Sequence, residues 1–386
     1  MAKTSKLKVV RVITAPIVVP WHLANTLARM PDDFEVCVVG QGVSSWQAQY
    51  PQIKWVDINI VRQLDPLADL LALLALCRFL HAYKPDIVHS IMPKSGLLTA
   101  IAGFICRVPV RIHTFTGQIW ATESGFARRL YYGLDKLINA LNTLCLTDSP
   151  SQSAFLYQHQ LGNAGKPLPV LLKGSLSGVD VARFDKQALA QQATQLRTSL
   201  AIKPTDVVFA FIARKSLDKG GIDILHAFAA VAKQHPNAKL LYIGPDESGG
   251  ELERLRNDHQ DMFNNVLEIG TVPNHELYLA ITHVLCLPSY REGFGSIVID
   301  AAAMGVATIG SDISGLRDSV EDGKTGQLFP AGDLQGLSQL MLNAVQAPDT
   351  YQAMGLAARA RVDTFFTADL LYQALKALYL QLAGQR

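Results

Sequence analysis

Apolar and polar positions along this chain follow two rhythms that alternate almost throughout. Short, mostly aliphatic runs end on turn residues, and amphipathic stretches with helical spacing separate most of them. In the first half, strand-like runs lie near residues 7–13, 34–39, 54–58, 86–89, 110–113, 143–147 and 168–172. In the second half they lie near residues 207–213, 239–243, 266–269, 284–288, 307–310 and 326–329. Strands that alternate with helices in this way build parallel sheets with both faces covered. The predicted fold class is therefore α/β, with two Rossmann-like, doubly wound parallel-sheet domains in series.

A seam is expected at Lys173-Gly174-Ser175-Leu176-Ser177-Gly178-Val179-Asp180, where two glycines and two serines interrupt the pattern without a long apolar run. A chain of 386 residues also favours two cores over one. The expected domains are residues 1–175 and 176–366, followed by a Leu/Tyr/Ala-rich helical run over 367–386. Two such lobes joined by a hinge would face each other across a cleft, at the carboxyl ends of their strands. No low-complexity segment or repeat of 20–50 residues is present.

Composition adds constraints. A hydrophobic content of 49% with 18% charged residues describes a well-packed protein that leans apolar. The net charge of +2 gives no sign of a nucleic-acid partner, but its distribution is uneven. Residues 1–180 hold 17 Lys and Arg against 11 Asp and Glu, and the rest hold 18 against 22. A basic first half suits an anionic lipid or a diphosphate-bearing acceptor, although ordinary charge scatter would look the same. Trp120, Phe126, Arg128, Arg129, Tyr131, Tyr132 and Lys136 cluster there in a segment of helical pattern. Such a segment suits peripheral contact with an anionic membrane, or a core helix with a charged outer face. Cys37, Cys77, Cys106, Cys145 and Cys286 are odd in number and scattered, as in a reduced cytoplasmic protein. The first eight residues lead straight into a strand-like run, without the apolar core of a signal peptide. The apolar stretch 64–80 contains Asp65, Asp69 and Arg78, is too short to span a bilayer, and reads as a core helix.

The densest chemistry lies over residues 288–305. There a buried strand pattern leads into Arg291-Glu292-Gly293-Phe294-Gly295, and a helix opens near Ser296. Ser296 and Asp300 then share one helix face. The free amides of a helix start attract an anion. This suits a nucleotide diphosphate, with the Ser296 and Ile297 amides on phosphate, Asp300 on ribose and Glu292 on a transferred group. An ordinary surface helix with acids in its first turn would show the same residues. A second polar loop, Arg214-Lys215-Ser216-Leu217-Asp218-Lys219-Gly220, follows the first strand of the second half. Arg214 can grip phosphate with two parallel hydrogen bonds, and Lys219 adds a point charge.

Taken together, these segments resemble the family 4 retaining glycosyltransferases of GT-B fold, in the branch that builds surface polysaccharides and lipid-linked oligosaccharides. Glu292 and Asp300 stand where that family has its E-x7-E pair, with the second acid one methylene shorter. Arg214 and Lys219 match its donor-diphosphate Arg and Lys. Gly270, Thr271 and Val272 resemble its nucleobase-contacting turn. His113-Thr114-Phe115-Thr116-Gly117 resembles a segment whose His lies against the transferred sugar. The resemblance implies His113 and Glu292 at the reacting sugar. It implies sugar or acceptor contacts from Thr116, Gly117, Gly293, Phe294 and Gly295. It further implies a last helix that returns to the first domain, and transfer from an NDP-sugar, foremost a UDP-sugar, to a polyprenyl-diphosphate-linked saccharide. Neither a metal nor another cofactor is expected, and no metal-ligand spacing is visible. The expected location is cytoplasmic, on the inner face of the plasma membrane if peripheral. His89 also matches a family landmark but reads better as structural. The loop from Thr14 to Trp21 departs from the family by lacking glycine, so it either contacts an acceptor through apolar groups or moves. Alternatives of other classes stay open: a UDP-sugar 2-epimerase, a transferase with a soluble acceptor, or a non-catalytic nucleotide-sugar binding protein.

Overall fold

The computed structural model describes residues 6–61 and 63–385. Residues 1–5, which carry most of the leader reading, lie outside the described residues. The chain folds into two compact units: residues up to Gly178 together with those from Ala368 onward, and Val179–Thr367.

The first unit is built on strands β1 (Leu7–Val12), β2 (Phe34–Gly40), β3 (Lys54–Asp57), β4 (Ile87–Ile91), β5 (Val110–Phe115) and β6 (Leu144–Thr147). They form one parallel sheet in the order β3-β2-β1-β4-β5-β6. Its helices are α1 (Ala24–Leu27), α2 (Pro66–Tyr83), α3 (Pro93–Ile105), α4 (Gly125–Leu141) and α5 (Pro150–Gln158). Local chemistry sets several of their ends. Asp65 caps α2 by accepting from the Ala68 amide at 3.0 Å, and Ser149 caps α5. Pro66 and Pro150 occupy the first helical positions, where no amide hydrogen is needed.

The second unit carries β7 (Val207–Ile212), β8 (Ala238–Ile243), β9 (Val266–Ile269), β10 (Val284–Leu287), β11 (Ala307–Ser311) and β12 (Gly326–Phe329). These form a second parallel sheet in the order β12-β11-β10-β7-β8-β9. Its helices are α6 (Ala190–Ser199), α7 (Gly221–Gln234), α8 (Glu251–Asp258), α9 (His275–Ala280), α10 (Ser296–Ala303), α11 (Leu316–Ser319), α12 (Leu334–Gln346) and α13 (Pro348–Phe365). Both faces of this sheet are packed. Val208, Ala210, Leu285 and Leu287 face one core, and Phe209, Phe211, Cys286 and Ile309 face the other. The last helix, α14 (Ala368–Gly384), belongs to the first unit, where Tyr372, Leu375 and Tyr379 join a core with Val9, Leu27 and Phe34.

Strand order reverses between β1 and β4 in the first sheet, and between β7 and β10 in the second. Loops leaving the carboxyl ends of strands at such a switch point are where open α/β sheets bind ligands. In the second unit those loops are residues 213–220 and 288–295, the two segments whose residues suit a nucleotide diphosphate.

Two sequence expectations need correction. Residues 168–172 form no strand. Their link to the sheet is a single bridge from Thr147 to Val170, because Pro167 and Pro169 have no amide hydrogen to donate to a ladder. The stretch 64–80 is not a core helix. On α2 only Ala72, Leu76 and Leu80 are buried, while Leu67 and Leu71 are 68% and 59% exposed and Leu64, Leu70 and Leu74 are also exposed. By length and composition α2 could cross a membrane, but Leu76 and Leu80 hold it against the sheet.

Candidate functional site

In the second unit the chain leaves β7 through Ala213 and closes a short turn at Leu217–Lys219. Gly220 follows with φ 68°, and a Cβ there would lie 2.2 Å from the Pro288 carbonyl oxygen. Only glycine allows that approach, and it brings the 213–220 loop against the β10 loop. Polar contacts lace the two loops together. Asp218 accepts from Arg214 at 3.1 Å, from Arg291 at 3.2 Å and from the Ser216 hydroxyl at 2.5 Å. Arg214 also donates to Glu247 at 2.7 Å. Lys219 donates to Glu292 at 2.6 Å and to the Arg291 carbonyl at 3.1 Å, and Ser289 donates to Glu292 at 3.0 Å. Burial alone would raise the Asp218 pKa, but the Ser216 hydroxyl and the charges of Arg214, Lys219 and Arg291 outweigh it and hold Asp218 below its ordinary value. Burial likewise works against the Arg214 charge, and the carboxylates of Glu247 and Asp218 outweigh it.

Helix α10 opens at Ser296 behind Gly295, whose φ of 76° turns the chain sharply into the helix. Ser296, Ile297 and Asp300 are half-buried on its open face, while Val298, Ile299, Ala301 and Ala302 point into the core. The Val298 amide donates to the Gly295 carbonyl at 2.9 Å, whereas the Ser296 and Ile297 amides lie too early in the helix to find a carbonyl within it. Asp300 Oδ2 lies 3.0 Å from His275 Nε2, at the start of α9. Gly270, Thr271 and Val272 lead into that helix, with Gly270 and Thr271 exposed. The structure thus gathers Arg214, Lys219, Glu292, Ser296, Ile297 and Asp300 on loops and helix starts of one unit. Phe294 does not offer a side-chain contact to a ligand: its ring is buried 5.4 Å from that of Phe366, so only its backbone remains for one. Gly293 and Gly295 are also buried.

His113 lies in the first unit near the end of β5 and is 1% exposed. Its Nδ1 is 2.9 Å from the Ser90 hydroxyl, Phe115 meets the ring edge-on at 4.6 Å, and a Cβ on Gly96 would come within 2.4 Å of it. Burial lowers its pKa to about 3, so the imidazole is neutral at physiological pH. A neutral ring can position a group but is not a proton-transfer acid. His89 bridges the Tyr379 hydroxyl and Thr114 Oγ1, each at 2.7 Å, inside the first unit. The Thr116 carbonyl accepts from Gln152 at 3.2 Å, and both Thr116 and Gly117 are half-buried. In the glycine-free loop, Ile17 and Trp21 are exposed, and the Pro16 carbonyl accepts from Trp46 Nε1 at 3.0 Å.

The aromatic and basic cluster divides. Trp120 precedes α4 and is 1% exposed, with Nε1 donating to Asp135 at 2.7 Å, so it is a core residue rather than a surface one. Phe126 is 79% exposed, and Arg128 and Arg129 are exposed beside it. Trp120, Arg128, Arg129, Tyr132 and His159 line a concavity of about 500 Å³. Among the described residues, no three His, Cys, Asp or Glu side chains converge as a metal site.

Sequence reasoning left Asp218, Glu247, Arg291 and His275 without roles. Asp218 had a local signal, being four residues after Arg214. The others meet their partners only through the tertiary fold.

The two parallel α/β units, with a polar cluster at the switch point of the second, define a glycosyltransferase of GT-B fold. Residues 15–166 match the glycosyl transferase 4-like domain, and residues 192–361 match glycosyl transferases group 1. The chain belongs to the family 4 glycosyltransferases. It is 27% identical over 83% of its length to the capsular polysaccharide biosynthesis glycosyltransferase CapM of Staphylococcus aureus, covering 83% of that protein. It is 22% identical to the UDP-Gal:alpha-D-GlcNAc-diphosphoundecaprenol alpha-1,3-galactosyltransferase of Escherichia coli, over 84% of this chain and 82% of that one. Among solved structures, Anabaena Alr3699/HepE in complex with UDP and glucose superposes with a TM-score of 0.80 at 18% identity, covering 96% of this chain and 99% of that one.

Proposed function

We propose that this enzyme transfers a sugar from an NDP-sugar, foremost a UDP-sugar, to a polyprenyl-diphosphate-linked saccharide, with retention at the anomeric carbon. The observation that carries this reading is the cluster of Arg214, Lys219 and Arg291 beside the first-turn amides of α10, at the switch point of the second sheet. Departure of the diphosphate is the demanding step of glycosyl transfer, and cations with oriented amides stabilise the charge that develops. In the proposed reaction the bond from anomeric carbon to diphosphate oxygen breaks. The acceptor hydroxyl then bonds to that carbon from the face just vacated, and its proton passes to the departing phosphate. Arg214, Lys219 and the Ser296 and Ile297 amides hold the diphosphate. Asp300 holds the ribose, the Gly270–Val272 backbone holds the base, and Glu292 holds the sugar. His113, in the first unit, is neutral and takes no part as a proton donor. Because fixed guanidinium, ammonium and amide donors would face the diphosphate, donor binding is expected to need no metal ion.

Relatives support the acceptor class: one is named for capsular polysaccharide and another for a diphosphoundecaprenol-linked acceptor. The exposed leucines of α2, with Phe126, Arg128 and Arg129 on α4, suit peripheral attachment to the inner, anionic face of a membrane where such acceptors reside. The test is calorimetric binding of UDP, GDP, ADP and a panel of UDP-sugars, with and without EDTA. EDTA-insensitive, selective binding of UDP and one UDP-sugar is expected. Absence of binding to every nucleotide would refute the donor site.

A further inference from the structure

The second acid of the motif is one methylene shorter than the family's Glu, and the fold supplies a neighbour for it. His275 Nε2 lies 3.0 Å from Asp300 Oδ2, with the two side chains 23% and 19% exposed. Among the described residues, Oδ1 of Asp300 carries no hydrogen bond. His275 is itself braced. Its ring packs 5.6 Å from the buried Phe184 ring. Arg183 donates to the Pro273 carbonyl at 3.0 Å and to Glu276 at 2.5 Å, which fixes the turn on both sides of His275. That turn continues directly from Gly270, Thr271 and Val272.

We propose that His275 is a positioning residue that completes the ribose reader. It occupies one oxygen of the short carboxylate and so aims the other at the vicinal hydroxyls of the nucleotide's ribose. The inference rests on the assignment of Asp300 to ribose made above. A lone Asp side chain would have to be ordered when ribose binds. One already held by a braced imidazole has lost that freedom beforehand, so more of the hydrogen-bond energy appears as affinity. The arrangement also ties the base-contacting turn to the ribose-contacting helix, so both parts of a nucleoside are read by one rigid corner. A site built to pair hydroxyls rejects a ligand lacking them, because its polar groups are left unpaired.

The test compares calorimetric affinities for UDP and 2′,3′-dideoxy-UDP, with the GDP pair in parallel, in wild type, Asp300→Asn, His275→Phe and His275→Gln. Wild type should prefer the ribonucleotide by about 10- to 150-fold, the value of one charge-assisted hydrogen bond. Asp300→Asn and His275→Phe should each reduce the preference to about threefold or less. His275→Gln keeps an N–H donor and should retain most of it. The double variant His275→Ala with Asp300→Glu should recover preference relative to His275→Ala alone, because the longer acid then reaches without the imidazole. Melting curves confirm that each variant is folded. If His275→Phe keeps the wild-type preference, or weakens both nucleotides equally, while Asp300→Asn abolishes it, the positioning role is overturned and the ribose assignment stands. If Asp300→Asn keeps the preference, or wild type shows none, the ribose assignment falls and takes the proposal with it.

Discussion

Replacing Lys219 by Met separates a structural role from a ligand-binding one. Lys219 spans two neighbours, Glu292 at 2.6 Å and the Arg291 carbonyl at 3.1 Å, and the side chains of the Lys219–Glu292 pair are 17% and 13% exposed. An exposed pair is worth up to about 1 kcal/mol, and breaking a fully buried one costs about 3–5 kcal/mol. A pair with this burial lies between these limits, and Glu292 keeps the Ser289 hydroxyl at 3.0 Å, so we expect a cost of about 1–2 kcal/mol. For a unit of this size that corresponds to a fall in Tm of roughly 2–8 °C. If Lys219 also contacts the diphosphate, UDP affinity should fall by about 1.5–3 kcal/mol, roughly 10- to 150-fold. The double variant Lys219→Met with Glu292→Gln removes both charges and should regain most of the lost stability. It should not regain UDP affinity. Calorimetry and thermal melting on the single and double variants measure both quantities. Recovery of UDP affinity together with stability, or an unchanged Kd in the single variant, would refute the diphosphate contact.

Two further outcomes follow from the first unit. Burial pushes Asp135 up to about 7 from an ordinary value near 3.8. The folded state therefore holds a proton that the unfolded state has lost between about pH 4 and 7, so stability falls as pH rises through that window and levels off above it, by up to ~4 kcal/mol. Asp135→Asn should flatten this slope in urea titrations from pH 5 to 8, and an unaltered slope would show that another group sets it. Leu67→Ser with Leu71→Ser should weaken sedimentation with phosphatidylglycerol-containing vesicles at least tenfold, since each buried leucine is worth about 1.5–3 kcal/mol, while Tm stays near wild type. Equal vesicle binding by this variant would remove α2 from the proposed membrane face.

Most of the fold was legible because the strands of a covered parallel sheet are short apolar runs whose ends are marked by turn residues. Val266–Ile269 and Gly326–Phe329 appear in the structure with the predicted bounds. Residues 168–172 misled because an apolar run was given more weight than Pro167 and Pro169. The reading of 64–80 failed for a different reason. Composition says that a helix is apolar but not how much of its circumference the neighbouring sheet covers, and α2 is covered only along Ala72, Leu76 and Leu80. Trp120 shows the converse, since an aromatic residue among surface arginines turned inward to reach the buried Asp135. In the site, loop positions could be read from spacing, whereas the His275–Asp300 contact joins helices α9 and α10 across 25 residues and leaves no local trace.

Bulk charge was the weaker guide to phosphate chemistry. The second half of the chain is acidic, with 18 basic against 22 acidic residues, yet it contains the Arg214, Lys219 and Arg291 cluster. Those three cations meet three carboxylates, Asp218, Glu247 and Glu292. The cluster is close to neutral in formal charge, so a diphosphate would find no large net attraction there. Recognition would have to come from geometry: guanidiniums held at fixed angles by Asp218, an ammonium held by Glu292, and amides aligned at the start of α10. This preorganisation has a physical requirement. Three cations on adjoining loops would repel one another if left alone, and Asp218, shared by Arg214 and Arg291, holds two of them in place. The carboxylates that neutralise the site are thus what allow its cations to be concentrated, and an acidic domain is compatible with tight recognition of an anion.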